Sequence, residues 1–252
     1  MLSDFDARSV VRLLGEVAAL EGDFSARKRF LMEGLCELID ADSCIWALGC
    51  QMEPQKPQVF VNFIHNGFTE QTFADYLKAV EHPDMVQIAS KFASTLAERG
   101  KHTTMIRDEI DEEGLSYLGE VGQRWRGAGI GSLMLSAYPV DQGSVSMVGL
   151  YRHIESEPFT EREKYIADLL LSEVPWLHLS GWPEDRAVVV PKLSPRKRIV
   201  LNLLLESLSR KQIAGQLELS EHTVSGYIKE IYRHFGVSSH AELMKKFLQP
   251  RL

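Results

Sequence analysis

The chain has 252 residues, of which 44% are hydrophobic and 25% charged, so it is long enough for two domains and has the composition of an ordinary globular protein. No run approaches the ~18 apolar residues of a membrane-spanning helix, and MLSDFDARSV lacks the basic-then-apolar order of a secretion signal. Residues 193–252 hold ten Lys/Arg and five Asp/Glu, a net of +5; with −7 overall, residues 1–192 carry −12, as suits a nucleic-acid reader whose other half is kept off the duplex.

In chain order, two amphipathic helices are predicted at Phe5–Leu20 and Phe24–Ile39, the second with Phe30, Leu31, Leu35 and Leu38 on one side. Ser43–Leu48 is a short apolar run and reads as a strand. Gln58–His65 alternates, with Val59, Val61 and Phe63 opposite Phe60, Asn62 and Ile64, and Asn66-Gly67 turns it. Helices are expected at 69–80 and 84–98, a strand at Thr103–Ile106 and a helix near 116–126. Gly129–Val140 and Ser144–Arg152 read as antiparallel strands joined by Asp141-Gln142-Gly143. Phe159-Thr160-Glu161 opens a last long helix to about Leu179. One antiparallel sheet with helices packed on it is the economical α+β arrangement of this order.

Trp46, Phe63, His65, Tyr76, Trp125, Met134 and Met147 offer apolar walls with a few polar tips, the lining of a small-molecule site, or else an ordinary core. Cys36, Cys44 and Cys50 are odd in number and lack paired metal-ligand spacing, which implies reduced thiols and the cytoplasm. Cys44 or Cys50 could sense redox state, against the alternative of buried inert thiols. His153, Glu155 and Glu157 form a metal candidate, but Pro158 beside them favours a solvated loop. Gly127-Ala128-Gly129-Ile130-Gly131 leads into a strand rather than out of one, unlike a phosphate-binding loop. Asp4 and Asp6 precede a helix and no later Lys closes a buried strand, so a phosphoacceptor receiver domain does not fit. No enzyme, metal or cofactor motif is found. Ser180 to Pro191 combines turn residues with charge, which divides the chain into one domain at 1–180, a linker at 181–192 and a further domain at 193–252.

Residues 193–252 predict four short helices. Ser194-Pro195 begins the first, with Ile199, Val200, Leu203, Leu204 and Leu208 on one side. Ser209 and Gln212 form a capping box before Ile213, Ala214 and Leu217. Ser220 caps a third helix whose inner face is Val224, Ile228, Ile231, Tyr232 and Phe235, and Gly236 stops it. Ser239 opens the fourth, with Leu243, Phe247 and Leu248 apolar. The pair Ser209–Leu217 and Ser220–Phe235 has helix-turn-helix spacing, which would lay the second helix in the major groove of duplex DNA. Outward on it are Glu221, His222, Ser225, Gly226, Lys229 and Arg233. Short side chains at Ser225 and Gly226 allow close approach to base edges, Lys229 and Arg233 reach guanine or phosphate, and Thr223 with the N–H groups near Ser220 can hold a phosphate. Arg210 and Lys211 suit the flanking backbone.

The segment resembles the C-terminal DNA-binding domain of LuxR-family bacterial transcription regulators in Leu193-Ser194-Pro195-Arg196, Val200-Leu201, Ser209, Lys211-Gln212-Ile213-Ala214, Leu217, Leu219-Ser220, Thr223-Val224, Ile231, Gly236-Val237 and Ala241-Glu242-Leu243. That resemblance implies a third helix in the major groove, contacts from Ser225, Gly226 and Lys229 supported by Thr223, Val224 and Tyr227, and a last helix that pairs in a dimer. Lys197, Ser207, Glu218, Tyr227, His234 and His240 depart from the usual pattern, which bears on the operator rather than the fold. The order of elements before residue 180 resembles GAF or PAS-like sensory domains, and Leu150–Arg152, Glu157–Glu163 and Val174–Leu177 resemble the end of sensors found ahead of such DNA-binding domains. The characteristic Trp, Tyr and Asp set of acyl-homoserine-lactone sensors cannot be placed. The implied function is a sequence-specific regulator of transcription. Its expected partners are double-stranded DNA, a second copy of the chain and a small-molecule effector, with RNA polymerase as a candidate. The alternative is a ligand-free dimerisation or protein-interaction module on the same DNA-binding domain.

Overall fold

The computed structural model describes residues 2–50, 59–141, 144–180, 193, 195–205, 207–217 and 219–248. The expected linker, Ser194 as a cap, Glu218 in the turn and Gln142-Gly143 of the hairpin lie outside the described residues.

Helices α1 (Asp4–Ala19) and α2 (Phe24–Ile39) open the chain. Ser3 and Asp6 form a capping box on α1, and Asp23 accepts from Ala26 N at the start of α2. Strands β1 (Ser43–Cys50) and β2 (Val59–Asn66) follow, then helices α3 (Glu70–Val80), α4 (Met85–Ile88) and α5 (Ser90–Arg99). Next come β3 (Thr103–Ile106), the short helix α6 (Arg107–Ile110) and α7 (Gly119–Gly127). The long strands β4 (Ile130–Asp141) and β5 (Ser144–His153) lead to α8 (Glu161–Ser172) and α9 (Pro175–His178). Beyond lie α10 (Pro195–Leu205), α11 (Arg210–Gln216), α12 (Glu221–Phe235) and α13 (His240–Leu248).

The five strands form one antiparallel sheet in the order β2-β1-β5-β4-β3. Its period of two divides the side chains between two cores. Cys44, Trp46, Leu48, Ile64, Met134, Val148 and Leu150 pack with α1, α2 and α8. Ile45, Ala47, Phe63, Leu133, Ala137, Met147 and Tyr151 pack with residues of α3, α5 and α7 on the other face.

Three sequence expectations are corrected. The alternation expected for β2 fails because the pairing slips: Ala47 faces Phe63 but Gly49 faces Phe60, so β2 carries one extra residue and Phe60 and Phe63 join the same core. The helix expected at 84–98 is divided at Ala89, where the Ser90 hydroxyl donates to Gln87 O at 2.6 Å and competes with the backbone ladder. The helix expected to run to Leu179 ends at Ser172, because Pro175 cannot continue it and instead starts α9. Near 116–126, Asp111 gathers the amides of Leu115 and Ser116 into a 3-10 turn before α7 begins.

The Asn66-Gly67 turn is held by geometry as well as by sequence. Gly67 has φ +80°, and a Cβ there would stand 2.2 Å from Asp42 O and 2.8 Å from Ser43 Cα.

Arg152 ties the layers together. Its Nε donates to Asp40 O at 2.9 Å, Nη1 to Glu157 O and Pro158 O, and Nη2 to Ile39 O at 2.5 Å and to the Glu163 carboxylate at 2.6 Å. All five N–H donors of the guanidinium are thereby used. Arg152→Ala strands these carbonyls and Glu163 in a buried site and should cost about 3–5 kcal/mol in urea unfolding. Arg152→Lys, with three donors and no planar fork, should recover only part of it. Wild-type unfolding midpoints in both variants would remove Arg152 from this role.

Candidate DNA interface and ligand cavity

The C-terminal helices build their surface from caps. Ser209 Oγ accepts from Gln212 N and the Gln212 side chain accepts from Ser209 N at 2.9 Å, closing the expected capping box. Ser220 Oγ accepts from Thr223 N at 3.0 Å and lies 2.8 Å from the Thr223 hydroxyl, which starts α12. Gly236, with φ +63°, ends it. Val224, Ile231 and Phe235 are buried, with Ile228 and Tyr232 half-buried around them. This inner face turns the opposite side of the helix outward. Lys229 and Arg233 are exposed there, as is His222, while Ser225, Gly226 and Tyr227 are half-buried. No atom lies within 4 Å of where a Cβ would stand on Gly226, so the helix surface is open at that point.

Arg210 at the start of α11 lies 3.4 Å from Glu221 and donates to Ser225 Oγ at 3.3 Å, so it bridges the two helices. Lys211 is exposed beside it. An α-helix leaves its first N–H groups without intrahelical partners and carries partial positive charge there. Ser220 takes the amide of Thr223, and Glu221 adds a negative charge to the first turn of α12. Lys197 and Glu230 pair across α10 and α12, and this contact holds the Glu230 carboxyl below its ordinary pKa.

Residues 191–247 match the GerE family, bacterial regulatory proteins of the luxR family. They form a LuxR-family helix-turn-helix domain. The region is also 36% identical over 56 residues to the probable HTH-type transcriptional regulator GfsR of Streptomyces halstedii, covering 22% of this chain and 23% of that one. The chain thus matches less than a quarter of that relative's length. Over longer spans it is similar to the crystal structure of Escherichia coli SdiA, at 17% identity and TM-score 0.45, covering 96% of this chain and 95% of that one. SdiA in complex with octanoyl-rac-glycerol is similar at 13% identity and TM-score 0.43, over 98% and 95% of the two chains. The VqsR LBD domain of Pseudomonas aeruginosa gives 13% and 0.47 over 70% of this chain and 95% of that one. Likenesses this distant bear on no individual residue.

Ahead of the LuxR-family domain, a cavity of about 280 Å³ lies between the sheet and helices α3, α4 and α7. Phe60 of β2, Leu133 and Leu135 of β4, and Met147 and Tyr151 of β5 form its sheet wall. Tyr76 and Val80, the turn Glu81-His82-Pro83, Met85 and Trp125 close the helical side. Tyr151 lies back over Gly149, where any Cβ would meet its hydroxyl at 2.1 Å. Its hydroxyl donates to Tyr76 Oη at 3.0 Å, and burial pushes its pKa well above the ordinary value. Tyr76 meets Trp125 edge-on at 5.8 Å and Tyr151 edge-on at 5.5 Å.

Of the residues singled out from sequence, Tyr76, Trp125 and Met147 line this cavity. Trp46 and Met134 do not: their even positions put them on the opposite face of the sheet, in the core with α2 and α8. Phe63 and His65 lie outside the lining as well. Phe63 packs edge-on to Phe73, and the His65 ring stacks on Phe73 at 4.1 Å, with burial and the nearby Arg29 charge lowering its pKa to about 4. Sequence reading missed Tyr151, Leu133 and Leu135, although Leu133 and Leu135 lie two apart on β4 and Tyr151 shares the parity of Met147 on β5. Phe60 was hidden by the extra residue in β2.

The opposite face holds buried polar chemistry. His178 Nε2 donates to Leu171 O at 3.0 Å, so its Nδ1, 2.8 Å from Ser146 Oγ, accepts the serine proton. Trp46 Nε1 donates to the same Ser146 oxygen at 2.7 Å. Lys28, 1% exposed, lies over the Trp46 ring and donates to Ser180 O at 2.9 Å; burial lowers its pKa well below the usual lysine value. Nearby, His102 lies 2.7 Å from Ser136 Oγ and 3.3 Å from the Asp168 carboxylate. The distances are those of a nucleophile, base and acid, but Ser136 is fully buried and bonded to Thr104 Oγ1 at 2.9 Å, so the trio cements the core.

Among the described residues no three His, Cys, Asp or Glu side chains are grouped to hold a metal, and no helix is long and apolar enough to cross a membrane. Cys36 and Cys44 are buried and free, and the Cys44 thiol is pushed up in pKa by its contact with Cys36 and by burial, which disfavours the reactive thiolate.

Burial first, then the charges of His102 and Lys28, lower the His178 pKa to about 3. The unfolded chain binds this proton near pH 6.5 and the folded chain does not, so stability from neutral His178 is full above that pH and falls as pH drops toward 3. Acidifying from pH 7 to 5 should cost about 2 kcal/mol through His178 alone. Thermal melts of His178→Asn should be lower at pH 7 yet depend less on pH in this window; an unchanged slope would clear His178.

Proposed function

We propose that the protein is a sequence-specific DNA-binding regulator of transcription, acting in the cytoplasm as a homodimer, whose residues 1–180 take up a small molecule. The observation that carries the DNA half is the exposed Lys229 and Arg233 face of α12, set above a fully packed inner face within the LuxR-family domain. Ser225, Gly226 and Lys229 would read base edges, with Val224 and Tyr227 supporting them. Arg210, Lys211, Arg233, Thr223 and the Ser220 cap would hold the sugar-phosphate backbone.

The cavity supports the sensing half. Its walls are mostly apolar, with the polar tips of two tyrosines and a tryptophan converging on them, as small-molecule sites require. α10 lies against α3 and β2, which also wall the cavity. A ligand that favours one arrangement of these elements would shift the placement of the DNA-binding domain by as much as its affinities for the two arrangements differ. The rival is a ligand-free dimerisation module, for which the exposed Phe5 and Val11 of α1 would supply apolar surface.

Native mass spectrometry of the full-length protein separates the two readings. A small molecule bound without covalent attachment and lost on denaturation is the expected result; apo dimer from every source, with melting and DNA affinity unmoved by compounds of the cavity's size, favours the rival. For DNA, the site selected from a random duplex library serves as the probe. Lys229→Ala should lower the dependence of log affinity on log salt by about one if Lys229 meets phosphate, or relax one base position at about 1–3 kcal/mol if it meets a base. Thr223→Val should weaken binding without changing the melting temperature greatly. Wild-type affinity, specificity and salt dependence in both variants would place α12 away from the groove.

A further inference from the structure

The Trp125 indole carries an anomaly that the cavity explains. Trp125 is 4% exposed, its ring walls the cavity, and its Nε1–H is buried without a hydrogen-bond partner among the described residues. The other buried indole with a described bond, that of Trp46, is satisfied by Ser146. An orphaned buried donor is rare and costs about 1–3 kcal/mol, so it calls for an acceptor that arrives from outside the chain.

The surrounding chemistry narrows the acceptor. The Tyr76 and Tyr151 hydroxyls are bonded to each other, so neither is arranged around the indole. The rest of the lining is apolar or aromatic, apart from His82 and the carboxylate of Glu81, whose charge opposes an anion. An ammonium group offers no acceptor to the Trp125 N–H. The volume of about 280 Å³ equals that of about nine waters at liquid density, so the ligand atoms inside number on the order of ten. Tyr76, Trp125 and Tyr151 stand in mutual ring contact at 5.5, 5.8 and 6.3 Å, and such walls favour a planar or ring-bearing body.

We propose that Trp125 is the specificity-determining residue of the cavity, donating its indole N–H to an oxygen of a compact, uncharged, largely apolar ligand. This rests on the reading of the cavity as a ligand site, and the test distinguishes failure of one from failure of the other.

Three probes of equal heavy-atom count decide it: acetophenone, its isostere α-methylstyrene, in which a methylene replaces the oxygen, and benzoate. Binding to the full-length protein is followed in the indole ¹⁵N–¹H correlation spectrum, which has only four tryptophan signals, the Trp125 signal being identified by its loss in Trp125→Phe. Acetophenone should shift the Trp125 indole proton downfield and bind about tenfold more tightly than α-methylstyrene, with benzoate weaker than both. Trp125→Phe, checked for folding by its melting curve, should reduce the ratio of the first two to about one. The wild-type comparison stands even where that variant fails to fold. Equal binding of acetophenone and α-methylstyrene with no change at the indole overturns the role of Trp125 and leaves the cavity as a ligand site. Benzoate binding as well as acetophenone overturns the uncharged class. No binding of any probe overturns both the proposal and the reading beneath it.

Discussion

One guanidinium holds the sheet and the helices on one of its faces in register. Arg152, near the end of β5, meets the last carbonyls of α2, the loop at Glu157 and Pro158, and the carboxylate of Glu163 on α8. A helix ends with unpaired carbonyls and partial negative charge, and a cation placed there answers both. Because the group is planar and rigid, it fixes angles as well as distances, so the helical layer cannot slide along the sheet without breaking several bonds at once. Phe159 lies under the same guanidinium at 4.4 Å and seals it from water. Asp6 and Arg162 add a second tie, from α1 to α8.

With that layer fixed, the two faces of the sheet differ in a way that suits different tasks. On the α2 and α8 side, Trp46, Ser146 and His178 form one hydrogen-bonded group and His102, Ser136 and Thr104 another, and satisfied buried networks rigidify what they join. On the α3 and α7 side, a short divided helix and the bulged β2 border open volume, and a 3-10 turn precedes α7. Irregular elements and unfilled space leave more room to rearrange than continuous helices and a packed core. Rearrangement would therefore fall on that side, where α10 also lies.

Much of this was legible in the sequence. Caps and periodicity place α2 at Phe24–Ile39 and β3 at Thr103–Ile106 as observed, and Ser209, Ser220 and Gly236 bound the helices of the C-terminal domain where expected. The spacing of those signals is local, so one chain suffices to read it. The cavity was less legible because its lining is assembled from distant elements. Trp46 and Met134 have the right chemistry but the wrong parity, and parity is fixed only once the register of β1, β4 and β5 is known. Phe60 joins the lining through an added residue in β2 that no alternation rule anticipates. Likewise, Ser90 reads as a helical residue until its hydroxyl is seen to compete for the Gln87 carbonyl. His178 gave no signal at all, since a lone histidine near a proline says nothing of the serine that meets it.

The bond from Lys28 to the Ser180 carbonyl anchors the chain just beyond α9. Helix α10 begins at Pro195, fifteen residues on, so covalent geometry keeps it within about 50 Å of that carbonyl. Helices joined to that anchor by so short a covalent path meet their neighbours at an effective concentration on the order of millimolar. Contacts between α10 and the walls of the cavity therefore need only millimolar intrinsic strength to be populated about half the time. An interaction that weak is displaced by any modest competitor for either surface.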